Sequence, residues 1–158
     1  MSDRGIFVTS FLTVVLIVAG AFAIPEYFPF ELLRSLVFVA ITMMVFFGEN
    51  KYSYMLGVVV PILVMLLNIL LGGFFDEFGV LWASVTMQPL PSLDTPLHGL
   101  AILTMVLLVV LSIRAWRKEV TEAFFGKTFW ICLGISLANV AVLAGWYVWG
   151  IAERGRLP

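Results

Sequence analysis

His98 is the only histidine of the chain, and Asp94 stands four residues before it. An imidazole beside a carboxylate can serve as an acid–base pair, and Asp76 and Glu77 could assist from nearby in the sequence. The same ring could instead ligate a metal, a haem or a chlorophyll. One histidine cannot supply both axial ligands of a haem, and no helix carries a His/Glu pair at i, i+4, so no metal site is expected. The plainer role for His98 is an interfacial histidine satisfied by water.

Glu31 and Arg34 form a second candidate pair, spaced to make an ion pair along one helix face. An ionisable pair inside a membrane segment marks a functional site by default. At a segment boundary, though, a long stem carries its charge to the interface, and anchoring there is the expected role. Asn68 is the most polar group near the middle of an apolar segment. Its amide has two donors and an acceptor, so it should meet a partner, either a helix–helix hydrogen bond or a ligand.

Much chemistry is missing. The chain has no Walker A sequence, no GxGxxG after a strand, no GxSxG, no HExxH and no Cys/His zinc spacing. Cys132, the only cysteine, excludes an internal disulfide and a CxxC redox pair. No series of Asp, Glu or His runs through the apolar segments to relay protons. A net charge of −1 leaves no basic footprint for nucleic acid. The balance weighs against an enzyme, and no cofactor is indicated.

The elements that must position these residues are apolar. The chain has 158 residues, of which 62% are hydrophobic and 12% charged, where a soluble domain carries about 25% charged. Apolar blocks at residues 6–24, 31–47, 52–75, 97–113 and 129–151 approach the length needed to cross a bilayer. The expected fold is an all-α integral membrane protein, a single polytopic domain of five transmembrane helices. A four-helix alternative arises if the second block is re-entrant, since residues 36–47 alone are short. It also arises if the first block, with Arg4 ahead and Ala21-Phe22-Ala23 at its end, is a cleaved signal.

Arg4, Lys51, Arg114, Arg117, Lys118 and Lys127 fall on one side of a five-span layout, and Arg34, Arg154 and Arg156 on the other. The positive-inside rule then places the N-terminus in the cytoplasm and the C-terminus outside, as in a multi-pass protein of a prokaryotic cell (inner) membrane. The outward 76–96 segment reads as a loop. Thr95-Pro96 reads as a helix cap followed by the first helical residue. Trp116, Val120 and Phe124 recur every four residues, which extends the fourth span toward Gly126, with Lys118 facing Glu122 and Thr128 capping the next helix.

Helices in lipid pack through small residues and occasional hydrogen bonds. Three blocks carry such faces: Gly5, Thr9, Thr13 and Gly20; Gly57, Pro61, Asn68 and Gly72; Gly134, Ala138, Ala141 and Gly145. These three helices are expected to form the packed centre. Thr13, Pro61, Asn68, Gly134 and Ala138 are the residues expected either to pack or to grip a ligand. A hydroxyl from the first helix is expected near the carbonyl that Pro61 frees. The expected function is a small non-catalytic subunit or accessory of a larger complex, with the lipid bilayer and other membrane subunits as partners. The alternative is a carrier or binder of a hydrophobic molecule such as a lipid or quinone. A third is an outer-face enzyme using His98 with Asp94.

Overall fold

A computed structural model describes residues 2–23, 28–48, 50–88 and 96–154. Among these the chain is wholly helical: α1 (Ser2–Ala23), α2 (Phe28–Phe46), α3 (Asn50–Leu70), α4 (Gly73–Val85), α5 (Pro96–Glu119) and α6 (Lys127–Arg154). All but α4 are long and apolar enough to cross a membrane. The shortest of them, α2, has 19 residues, about 28 Å at 1.5 Å per residue, close to the thickness of a bilayer core. It runs without a break, unlike the re-entrant form considered for the second block. Pro96 opens α5 as expected, while Thr95 and Asp94 lie outside the described residues.

The third span is shorter than the expected 52–75. Gly72 takes φ +82°, a conformation that glycine adopts without steric penalty, and α3 stops at Leu70. The chain turns and re-enters a helix at Gly73, so the start of the expected 76–96 loop is α4 instead. With 13 residues, α4 is too short to span. Its Phe74 and Phe78 rings stack at 6.2 Å, one helical turn apart.

The packed centre also differs from expectation. α1 lies along α2 and α5, whereas α3 lies along α5 and α6, and α1 meets α3 only slightly. The centre is therefore α1, α2, α3 and α5. α6 turns a different row inward: Thr128, Cys132, Ser136 and Leu143 are buried, and the Ser136 hydroxyl folds back 2.7 Å onto the Cys132 carbonyl. Gly134 and Ala138 face outward, and a Cβ added at Gly134 or Gly145 would meet nothing within 4 Å. α6 has two rows of small residues, and composition does not distinguish which one faces its neighbour.

Hydroxyls join the central helices. Thr13 of α1 and Thr104 of α5 share a 2.9 Å hydrogen bond, and Thr42 of α2 meets Ser10 of α1 at the same distance. Thr13→Val is expected to lower stability by only about 0.6 kcal/mol, because such bonds within membranes average near that value. Unfolding in mixed micelles with increasing dodecyl sulfate measures this, and a loss several times larger would show that Thr13 does more than pack. Pro61 has no N–H to bond the Gly57 carbonyl. The hydroxyl lying against Gly57 is that of Ser112 on α5, not one from α1, and it makes no hydrogen bond among the described residues.

At the end holding the N-terminus, the buried Tyr54 hydroxyl ties the start of α3 to Asp3 of α1 and Glu119 of α5. α5 ends at Glu119 rather than continuing to Gly126. Beyond that end Glu122 accepts the Thr128 backbone N–H at 3.0 Å and its hydroxyl at 2.9 Å. This caps α6, and Glu122 pairs with Lys51 rather than Lys118. Lys51, with these two Thr128 hydrogen bonds, holds the Glu122 carboxyl down to about 2. The Trp116 and Phe124 rings still meet at 6.0 Å, across the loop rather than along one helix.

Candidate functional site

The opposite, far end of the bundle gathers the polar residues. α2 delivers Glu31 and Arg34 in its first two turns, α3 delivers Asn68 in its last, and α5 delivers His98 in its first. The Gly72–Gly73 turn sends α4 back across this end and brings Glu77 to them. Glycines let the backbones approach closely enough for this. A Cβ at Gly99 would lie 2.8 Å from the Glu77 carbonyl oxygen, so α4 rests directly on α5. A Cβ at Gly20 would lie 2.8 Å from His98 Nε2, so the imidazole packs flush against α1.

Glu31 and Arg34 form the ion pair their spacing suggests, with Nη1 at 3.3 and 3.4 Å from the two carboxylate oxygens. The pair does not reach out to anchor at the interface. Arg34 is 5% and Glu31 7% exposed, because both point into the bundle. His98 is 7% exposed, and its Nε2 lies 3.9 Å from Glu31 Oε1, beyond hydrogen-bond reach. It is thus a buried ring rather than an interfacial one.

These residues surround a cavity of about 400 Å³. Its polar side is Glu31, Arg34, Asn68, Glu77 and His98, with the exposed Asp76 also on its wall. The remaining wall is largely apolar, including Val64, Leu67, Leu143 and Tyr147. Four buried atoms here lack a partner at good hydrogen-bond geometry among the described residues: Arg34 Nε, Glu77 Oε2, His98 Nε2 and Asn68 Nδ2, whose amide faces Glu77 without closing a good bond to it. Buried polar atoms are almost always paired, so four around one cavity mark a site suited to a polar guest.

No family model, no curated protein and no solved structure matches the chain.

Burial pushes the Glu77 carboxyl up from its usual range, and Glu31 adds to the rise; the Arg34 guanidinium, Asn68 and His98 oppose it without cancelling it. A folded-state value above the unfolded one means that ionising Glu77 works against the fold. Its favourable contribution is complete below about pH 4.5 and fades as pH climbs through the raised value. Glu77→Gln is expected to melt near the wild-type temperature in acid and to become progressively the more stable of the two toward pH 8. Melting curves of both proteins across that range check this, and a constant difference would place Glu77 in water.

The structure brings together four residues singled out in the sequence, Asn68, His98, Glu31 and Arg34. It does not bring Thr13, Pro61, Gly134 or Ala138 to this site: the first two lie within the helix contacts and the last two on the outward face of α6. Glu77 enters as a central member where the sequence suggested only an accessory. The signal for it was present in Gly72-Gly73 followed by Phe74, Phe78 and Trp82 at four-residue spacing, a turn and then a helix. No group of three or more His, Cys, Asp or Glu side chains suited to a metal occurs among the described residues.

Proposed function

We propose that the protein binds the head of an amphiphilic small molecule, a lipid or quinone, in the far-end cavity, as a binder or carrier rather than a catalyst. The observation that carries this reading is the ring of unpaired buried polar atoms around a cavity in an otherwise apolar bundle. Each such atom left without a partner costs about 1–3 kcal/mol, and a polar head would relieve that cost. The apolar part of the wall suits the first carbons of a chain. The test is native mass spectrometry of the full chain released from mild detergent. A retained lipid or quinone is expected, reduced by Asn68→Leu, which places an apolar side chain in the cavity wall. A protein that carries no small molecule from any membrane source sinks the reading.

Under this proposal the N-terminus is cytoplasmic and the C-terminus outside, in a prokaryotic cell (inner) membrane. The six basic residues at the N-terminal end and their scarcity at the far end support that orientation. The cavity then serves the outer leaflet, and reporter fusions at each terminus test the assignment.

A second reading is favoured by α6. Its outward Gly134, Ala138, Ala141 and Gly145 would admit a helix from another subunit at close range, as in an accessory protein of a larger membrane complex. A stable monomer with no co-purifying protein in mild detergent would count against it.

A further inference from the structure

The charges around the far-end cavity do not balance. Among the described residues Arg34 is its only Lys or Arg, and that guanidinium is engaged with Glu31. Glu77 remains, with Oε2 buried and unpartnered, and Asp76 adds a further carboxylate on the wall. A phosphate or carboxylate head would meet these acids, and a quinone would bring no charge to pair with Glu77. An ammonium group brings three N–H donors and the missing positive charge. Tyr147 and Phe30, whose rings lie 6.4 Å apart, flank the cavity and offer aromatic surface to a cation and its methylenes.

We propose that the far-end cavity takes the protonated amine head of an amphiphile, with Glu77 as its counter-ion. This rests on the amphiphile-binding reading above and narrows it to one head chemistry. Binding is an exchange. Below its midpoint the Glu77 carboxyl is protonated and gives its proton to solvent, and the resulting carboxylate pairs with the ammonium, so there one cation enters for each proton released. Affinity then rises by about tenfold per pH unit below the midpoint of Glu77 and levels off above it. The ionisable groups facing Glu77 are Glu31 and Arg34 of α2, His98 of α5, Tyr147 of α6 and Asp76 of its own helix. The α1 and α3 walls contribute none.

An amine head could belong to an aminophospholipid or to a free lipophilic amine, and two arms separate these sources. In the first, titration calorimetry of the full chain in dodecyl maltoside uses dodecylamine, dodecanol and dodecyl sulfate, three heads on one chain length. Dodecylamine is expected to bind about tenfold or more tighter than the others, with about one proton released and affinity rising with pH as above. Glu77→Gln should lose that advantage by about tenfold or more, because it removes one member of a buried charge pair. Glu77→Asp should restore part of it. In the second arm, native mass spectrometry from vesicles of equal phosphatidylethanolamine and phosphatidylcholine reads which lipid is retained. Enrichment of phosphatidylethanolamine that Glu77→Gln abolishes supports the proposal and names the lipid; dodecylamine binding without enrichment supports it and names the free amine. Equal affinity for all three probes, no effect of Glu77→Gln, or retention of a quinone overturns the amine proposal while leaving amphiphile binding in place. If no probe binds and no lipid or quinone is retained, both readings fall.

Discussion

Arg34→Met is expected to destabilise the protein by about 3–5 kcal/mol, the largest loss from any single substitution at the far end. Arg34 is 5% exposed and is the sole Lys or Arg of the cavity among the described residues. Without it Glu31 is a buried carboxylate with no cation at 3.3 Å, and such an orphan costs that much when one partner of a buried pair is removed. The pair itself is a different matter. Replacing both members by uncharged residues of similar volume is often neutral, since the desolvation of both charges disappears together. Glu31→Gln combined with Arg34→Met should therefore recover most of the loss. Unfolding of the three proteins in dodecyl sulfate mixed micelles, under identical lipid and salt, gives the comparison. A double variant as unstable as Arg34→Met alone would show that Arg34 holds the bundle by its contacts and not by its charge.

The second large effect is at Gly99. Gly99→Ala is expected to lift α4 from α5, because the new methyl would stand 2.8 Å from the Glu77 carbonyl oxygen and 2.8 Å from Leu81 Cβ. A backbone carbonyl cannot swing aside as a side-chain tip can. Overpacking of this kind costs about 1–3 kcal/mol, but the more informative loss is in binding. Moving α4 takes Glu77 away from Arg34 and His98, so a bound amphiphile should be lost while the helical content is retained. Gly79→Ala on α4 itself is the control. A methyl there meets nothing within 4 Å, and alanine favours a helix over glycine by up to about 1 kcal/mol. Retention of ligand by Gly99→Ala, or its loss from Gly79→Ala, would detach the site from the seating of α4.

The spanning helices were legible in the sequence because apolar length is a local property, readable without knowing any neighbour. Pro96 at the first position of α5 was legible for the same reason. What was not legible depends on neighbours. Glu31 and Arg34 stand near a helix end, and only the packing of α2 against α1, α3 and α6 decides that they turn inward. α6 offers Gly134 and Ala138 on one side and Cys132 and Ser136 on another, all small, and α3 selects the second. Glu122 has a suitably spaced partner in Lys118, yet the helix ends before it and a lysine from α3 takes it instead. His98 and Asn68 were identified as residues, but their meeting across three helices has no signature in spacing along the chain.

The hydroxyl bonds have a consequence for how such a chain can be built into a bilayer. Thr9, Ser10, Thr13, Thr42, Thr104 and Ser136 each bond a carbonyl of their own helix, three or four residues back. Every one of these groups is satisfied before its helix has a neighbour. Glu31 and Arg34 likewise lie on one helix, so α2 brings its own counter-ion with it. These hydroxyls and this ion pair can therefore leave the insertion machinery with their own segment, without waiting for a later one. Glu77 is different. It arrives on a helix too short to cross, after three spans are in place, and it meets His98 only when the next segment follows. The bundle can be inserted in sequence, but its far-end site is completed only when the two halves of the chain close on each other.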